Sequence, residues 1–349
     1  MMKRRKFLMT TSGLLGMTAF SGVAACTRQV THVVPKGTHM RYKDWKTVCL
    51  GRYLVDVPTE VNLEYSALFA FNLERGKLEK VPGTPTDAKK MAEDKAHELR
   101  ASPHKTKGSL YIRSLLLSNG GTLVQGWSFD DDVNYSDAFL YIPITTQGKS
   151  FTYTYHGNVY SNTEQKDLQA LVAFGSSLRP LKEKEIPKEP GLCLDEYAML
   201  VNPPDLFTDD LSLSLEDPVA TGLGFTFGTG SATREYTKLT KIPGWTEDTC
   251  SSLNGNGKCS HLRFGEHLVG PIQGEEICLV GKTADERYRI YYFDWDYIGV
   301  ANKTPGVTFI LSYLGPPAFS NAPTPFFNDD EALAVWDRFV NSLRLRPVE

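Results

Sequence analysis

Two periodicities run along this chain. Apolar and polar residues alternate in SLYIRSLLLS (109–118), GTLVQGWSF (121–129), AFLYIPIT (138–145) and SFTYTYHG (150–157). They alternate again in DLSLSLED (210–217), GLGFTFG (222–228), EEICLVG (275–281), RYRIYYFDW (287–295) and VTFILSYLG (307–315). Alternation with β-branched and aromatic content predicts strands with one buried face, and the short separations predict antiparallel pairing. The second period is helical. Leu333, Trp336, Phe339, Val340 and Leu343 recur at spacings of three and four, and Asn328 followed by Glu331 forms a capping signal. Leu168, Leu171, Val172 and Leu178 make a similar face with Thr163 as its cap. A third helix is predicted from Pro85 to about Arg100, with Thr84 as cap, Pro85 at the first helical position and Asp87 near the positive end of the dipole. Ala88, Met91, Ala92 and Leu99 give that helix an apolar side.

These elements occur twice. CLGRYLVDVP (Cys49–Pro58) has its outline repeated in CLDEYAMLVNP (Cys193–Pro203). WSFDDD (Trp127–Asp132) matches YYFDWD (Tyr291–Asp296), FTYTY (Phe151–Tyr155) matches FILSY (Phe309–Tyr313), and Leu168–Pro180 matches Leu333–Pro347. Four matches in one order predict an α+β fold of two tandem homologous domains. Each is expected to be an antiparallel β-sheet packed with a long C-terminal helix. The expected boundaries are an N-terminal domain over 45–181, a charged, proline-containing linker over 182–190 and a C-terminal domain over 191–349. Residues 26–44, polar and without clear period, read as a flexible tether.

The first 25 residues read as an export signal. Lys3, Arg4, Arg5 and Lys6 precede a short apolar run, and small residues lead to Cys26. VAAC resembles the lipobox of bacterial lipoproteins, which implies cleavage after Ala25 and lipidation of Cys26. Multiple acyl chains hold a protein at a membrane stably where one does not. Thr27 after the cysteine favours an outer-membrane anchor facing the periplasm, and the paired arginines leave both the general and the twin-arginine routes open.

Charge narrows the partners. Losing the four leader cations takes the formal charge from −3 to −7, and no dense basic block remains, so nucleic acid is not expected. An exported chain can form disulfides. Of six cysteines, Cys250 and Cys259 bracket SSLNGNGK, whose Asn-Gly pairs predict a tight turn and a short-loop disulfide. Cys49 and Cys193 lie in apolar runs, where buried free thiols are an alternative to pairing. No Cys-x-x-Cys and no histidine ligand spacing points to zinc.

No Gly-x-Ser-x-Gly elbow, His-Glu-x-x-His pair or phosphate loop is present, so no catalytic residue, cofactor or metal ligand is assigned. Asp130, Asp131 and Asp132 are the densest acidic group. They lack the spacing of a calcium loop and read as a solvated hairpin. Trp295 stands between Asp294 and Asp296. With Tyr135 and Tyr297 beside the two acidic stretches, Asp130–Asp132, Tyr135, Trp295, Asp296 and Tyr297 form a candidate partner-binding set, since interface cores favour aromatic residues. The alternative for Trp295 is burial in its own core. His156, alone in a strand, reads as structural.

The leader, TVCLGRYLVDVP, GLCLDEYAMLVNPP followed by DLSLSLEDP, and the two Ser-Leu-Arg helix ends together resemble the two-domain immunity lipoproteins of type VI secretion lipase effectors. The resemblance extends from about Trp45 to Pro347. The element order also looks like the Mog1/PsbP-like fold by analogy. The resemblance implies a periplasmic non-enzyme that binds a cognate phospholipase effector and protects the producing cell's membrane. It transfers no named contact residue. The alternative is an envelope assembly or structural lipoprotein that binds another protein. An enzyme acting through Asp130–Asp132 is the third reading.

Overall fold

A computed structural model describes residues 30–71, 74–128, 134–204, 207–220, 222–231, 239–254, 258–283, 288–299, 305–313, 326 and 328–349. Cys26 and Asp130–Asp132 therefore lie outside the described residues. The first half contains β1 (Val30–Thr31), β2 (Trp45–Leu50), β3 (Tyr53–Pro58), β4 (Asn62–Phe71), β5 (Glu74–Pro82), α1 (Pro85–Ala101), β6 (Pro103–His104), β7 (Gly108–Ser109), β8 (Tyr111–Leu116), β9 (Thr122–Trp127), β10 (Tyr135–Thr146), β11 (Lys149–Tyr160), α2 (Glu164–Ser176) and β12 (Leu178–Pro180). The second contains β13 (Gly191–Cys193), β14 (Ala198–Val201), β15 (Phe207–Glu216), β16 (Leu223–Gly230), a 3-10 turn (Leu239–Lys241), α3 (Trp245–Asn254), β17 (Cys259–Val269), β18 (Ile272–Lys282), β19 (Arg289–Tyr297), β20 (Gly306–Tyr313), α4 (Asp329–Val340) and β21 (Arg344–Leu345). No described helix is long and apolar enough to cross a membrane.

One antiparallel sheet crosses both halves, in the order β1-β17-β18-β19-β20-β16-β15-β4-β5-β11-β10-β9-β8. Its seam is β4 against β15, paired from Asn62 opposite Glu216 to Phe71 opposite Phe207. Outward from the seam the order reads alike on both sides: β5, β11, β10, β9, β8 and β16, β20, β19, β18, β17. A sheet confined to each half was expected; the structure has a single shared sheet. β4 and β5 escaped the sequence reading altogether. The WSFDDD–YYFDWD correspondence is also misplaced, because Trp127 ends β9 whereas 291–296 lie in β19, which sits where β10 does.

Alternation decides which side chains reach the core. In β15, Leu211, Leu213 and Leu215 are fully buried while Ser212 and Ser214 face the other way. The leucines join one core with Phe69, Phe71, Phe174, Phe225, Phe309, Trp336 and Phe339, on the sheet face covered by α2 and α4. Burying a side chain of this size contributes about 1.5–3 kcal/mol. On the opposite face, α1 covers the outer strands of the first half. Its Thr84–Asp87 capping box closes the start, and Ala92, Ala96 and Leu99 meet Val124 and Tyr141. Gly126 allows that approach: a Cβ there would come within 2.8 Å of Leu99. At α2, Thr163 is in the cap position but makes no capping bond; its hydroxyl donates to Asp167, which also accepts from the Tyr160 amide.

The repeated opening strands meet each other. β2 and β3 form a hairpin completed by β21, from the far end of the chain, and β13 and β14 form one completed by β12, from the end of the first half. Each half thus closes the other's opening sheet. Gly51 and Cys193 exchange backbone hydrogen bonds of 2.8 and 2.9 Å, and Cys49 is disulfide-bonded to Cys193. Burial drove the free-thiol alternative for these cysteines; the fold instead brings their Cα atoms to 5.7 Å. Cys278 is the buried free thiol.

Two segments read as connectors, a flexible tether and a linker, are packed. The tether expected over 26–44 is held from Val30 onward. β1 pairs with β17, His32 lies 2.6 Å from Asp330 and His39 2.8 Å from Glu331, and buried Tyr42 donates to Asp217. The stretch 182–190 is clasped from two sides. Arg179 binds Glu185 and Glu189, and buried Arg346 donates to the carbonyls of Pro187, Glu189 and Gly191. Cys250 is bonded to Cys259, yet it sits in helix α3 rather than at a hairpin, because Trp245 and Cys250 pack onto Ile277 and Leu279. The Asn-Gly residues 255–257 lie outside the described set.

Candidate partner-binding trough

The sheet face opposite α2 and α4 is covered at its ends by α1 and α3, and among the described residues nothing covers it between them. The floor is made by the alternate residues that the core does not take: Ser66, Leu68 and Ala70 of β4, Thr208, Asp210, Ser212 and Ser214 of β15, Gly224, Thr226, Gly228 and Gly230 of β16, and Thr308, Ile310 and Ser312 of β20. All are half-buried or exposed, and most are small or hydroxylic. Within it is a cleft of about 280 Å³ bounded by Leu68, Ala70, Arg75, Asp209, Asp210, Gly228, Asp296, Tyr297 and Thr308. A smaller cleft of about 140 Å³ adjoins it, beside Leu239, Glu266 and Glu275, and shares Asp296, Tyr297 and Ile298 with the first.

Charge is laid across this trough unevenly. Glu266, Glu275 and Asp296 stand directly opposite one another on β17, β18 and β19, and the same row continues through Thr308, Gly228, Ser212 and Ser66. Like charges opposed on a sheet are destabilising, so this row is poorly explained by stability. The Thr240 amide and hydroxyl both donate to Glu275 at 2.9 Å, and the Thr308 hydroxyl donates to Asp296 at 2.7 Å. Desolvation pushes the Asp296 carboxyl up, with the Glu275 charge adding to it. Behind the row, Asp294 is raised to about 7 by burial and by the Asp296 charge. Burial likewise raises Asp209, whose carboxylate accepts from Ser231. On the other side Arg75 and Lys77 of β5 project from the half-exposed edge; Arg75 is 4.0 Å from Asp210, a screened contact worth little. The trough can therefore present hydroxyls and carboxylates to one part of a partner and cations to another. Among the described residues no group of three His, Cys, Asp or Glu side chains could hold a metal ion.

The predicted site residues are scattered by this geometry. Asp296 and Tyr297 line both clefts. Trp295 does not: it is fully buried, its ring lies over Gly274, and its Nε1 donates to the His267 carbonyl at 3.0 Å. Strand alternation sends it to the face opposite its two aspartate neighbours, which corrects its place in the candidate surface. Tyr135 opposes Tyr160 at the far side of the first half, seven strands from β19, or over 30 Å at roughly 4.8 Å per strand. His156 stacks on Phe139 and lies 2.9 Å from Asp137, a structural setting. Glu266, Glu275, Asp210 and Thr308 were missed, because their common signal is cross-strand register.

Asp294 supplies a test of this electrostatic reading. A carboxyl whose folded pKa is raised stabilises the fold at low pH, and that stability is lost as pH rises from its unfolded value near 3.8 through about 7. Asp294→Asn is therefore expected to raise stability at pH 8 by up to about 4 kcal/mol and to do little at pH 4. Thermal melts at the two pH values measure this; equal shifts at both would show that Asp294 is not held protonated by its surroundings.

Residues 185–348 match the family model described as Tle cognate immunity protein 4 C-terminal domain. No curated protein matches the chain. Among solved structures, the apo form of the type VI secretion immunity protein TplEi from Pseudomonas aeruginosa is similar at 27% identity, over 88% of this chain and 99% of that one, with a TM-score of 0.74. The Tle4–Tli4 complex contains a chain similar at 26% identity, over 87% of this chain and 98% of that one, with a TM-score of 0.74. TplEi complexed with the "L" peptide is similar at 26% identity, over 87% of this chain and 99% of that one, with a TM-score of 0.69.

Proposed function

We propose, for a chain that belongs to the family of type VI secretion lipase immunity proteins, that it binds a cognate phospholipase effector in the periplasm and blocks hydrolysis of membrane lipid. The observation that carries this reading is similarity over 98% of a chain whose structure was determined in the Tle4–Tli4 complex. The homologues are immunity proteins, which is consistent with a protein that acts by binding rather than by catalysis.

The trough is the surface on which we place the effector. Its walls and floor come from both halves, so one bound partner would touch both, and a rigid shared sheet spares the entropy of ordering two domains on binding. The opposed carboxylates would gain from basic groups on the effector, which steer encounter and select the partner. We further read residues 1–25 as a lipoprotein signal, Cys26 as the lipidated residue, the outer membrane as the anchorage and the two halves as copies of one domain. The matching strand order outward from the β4–β15 seam supports the last of these.

The test is a titration of the cognate lipase with the chain from residue 30 onward, read as release of fatty acid from phospholipid vesicles. Activity is expected to vanish near one equivalent. Thr208→Arg with Asp210→Lys, both on the trough floor, is expected to weaken inhibition by about tenfold or more with an unchanged melting temperature. Undiminished hydrolysis in excess protein would overturn the inhibitor reading; full inhibition by the double variant would move the interface off the trough.

A further inference from the structure

At one end of the sheet β17 would be an edge, but Val30–Thr31 covers it: Val30 pairs with Phe264, Thr31 with Arg263, and the His32 amide donates to the Leu262 carbonyl. At the other end β8 occupies the corresponding place, and its outer side has no strand partner among the described residues. The two strands match in detail. Each carries a register irregularity just before an arginine, between Tyr111 and Arg113 and between His261 and Arg263. Each arginine reaches the last helix of its half, Arg113 to Glu164 and Arg263 to Asp337. Between β8 and α2 lies an open groove of about 460 Å³ walled by Arg113, Leu115, Glu164, Gln165, Leu168 and Val172. Between β17 and α4 the equivalent groove is lined by Val30–Val34 of the same chain.

We propose that the β8 edge is a second protein-binding site, which takes an extended, apolar strand of another protein in the way β17 takes Val30–Val34. An unpaired edge strand is a template for such addition, and β8 carries neither lysine nor proline to blunt it. Leu116, on the sheet face opposite Leu115, is 80% exposed. The chemistry of the guest follows from comparing the two helices. Aligning Ser177 with Ser342 puts Gln165 where α4 has Asp330, the partner of His32, and Val172 where α4 has Asp337. The β8 groove thus lacks the carboxylate that meets His32, and its own Glu164 is paired with Arg113. It fits a strand with an apolar residue in place of His32. This site stands independently of what the trough binds.

The outward hydrogen-bonding groups belong to Ser114 and Leu116, since the Leu117 amide points inward to Gly121 and orientation alternates along the regular part of the strand, from Arg113 onward. The probe is a synthetic peptide with the sequence of residues 30–36 carrying His32→Val; the unaltered peptide is its comparison. Amide hydrogen exchange at Ser114 and Leu116 is expected to slow by about tenfold with the valine peptide and less with the histidine peptide. Ser114→Pro, which removes an outward amide from an edge strand, is expected to keep the melting temperature and lose the protection. Gln165→Asp is expected to shift preference to the histidine peptide at mildly acid pH, where its ring is charged. Protection confined to β17, or protection that survives Ser114→Pro, would overturn the proposal. So would a peptide-free protein that elutes as a dimer with β8 already protected, since a second copy would then be the occupant.

Discussion

A chain carrying Cys49→Ala and Cys193→Ala is expected to unfold with about 4 kcal/mol less free energy than the parent. The bond closes a loop with a sequence separation of 144, and the denatured chain regains most freedom when so long a loop is opened. The bond also ties the two opening hairpins together above the shared core, where Leu50, Val55, Leu192 and Leu200 are buried. Removing Cys250 and Cys259 is the comparison: that loop has a separation of 9, for which the same argument gives about 2–3 kcal/mol. Urea unfolding measures both through the midpoint. A loss below about 1 kcal/mol at Cys49 and Cys193 would show that the Gly51–Cys193 backbone pair and the surrounding packing hold the hairpins unaided.

Glu276→Ala is expected to cost about 3–5 kcal/mol, the range for removing one partner from a buried ion pair. Glu276 is 5% exposed; it lies 2.9 Å from the His267 ring and 3.6 Å from the Arg263 guanidinium, and it accepts from Trp336 Nε1 at 2.7 Å. Glu276→Gln keeps an acceptor for Trp336 and is expected to lose less. Burial works to raise the Glu276 carboxyl, but the neighbouring His267 ring and Arg263 guanidinium outweigh it and hold it below its ordinary value. Burial works to lower His267, and the bond to Glu276 outweighs that, so its pKa is raised. The signs give a window. The Glu276 contribution is present above its unfolded value near 4.5 and is lost as pH falls through the depressed folded value. The His267 contribution is present below its unfolded value near 6.5 and is lost as pH rises through the elevated folded value. This network therefore supports the fold most between about pH 4.5 and 6.5, and Glu276→Ala is expected to flatten the fall in stability on either side of that window. A variant whose stability against pH runs parallel to the parent's would remove Glu276 from the account.

What was legible depended on how local each signal was. The Thr84 cap with Pro85 behind it, the Asn328 cap and the alternation through Leu211, Leu213 and Leu215 are statements about neighbours in the chain, and the structure places them as read, adding a capping box through Asp87. The central strand pair β4–β5 was missed because its outward residues, Arg75, Lys77 and Glu79, mask a weak alternation with little apolar contrast. Helix α3 was missed because Asn-Gly pairs beside it drew attention to a turn. In the candidate site, Asp296 and Tyr297 were found through their setting around Trp295, although Trp295 itself faces the core. Glu266 and Glu275 become neighbours of Asp296 only through strand register, and no spacing along the chain encodes that.

The chain by itself determined the two periods, the two copies of an opening strand and a closing helix, and the α+β class that follows, because each is written in the spacing of neighbouring residues. Only the tertiary structure decided that β4 pairs with β15 into one sheet, that each half completes the other's small sheet, and that Cys49 bonds to Cys193. These contacts join residues far apart in sequence, where pairing depends on which faces remain uncovered after each half has folded its core. The open trough and the bare β8 edge are decided at the same level: they are the surfaces that α1, α3 and the segment after Val30 leave uncovered.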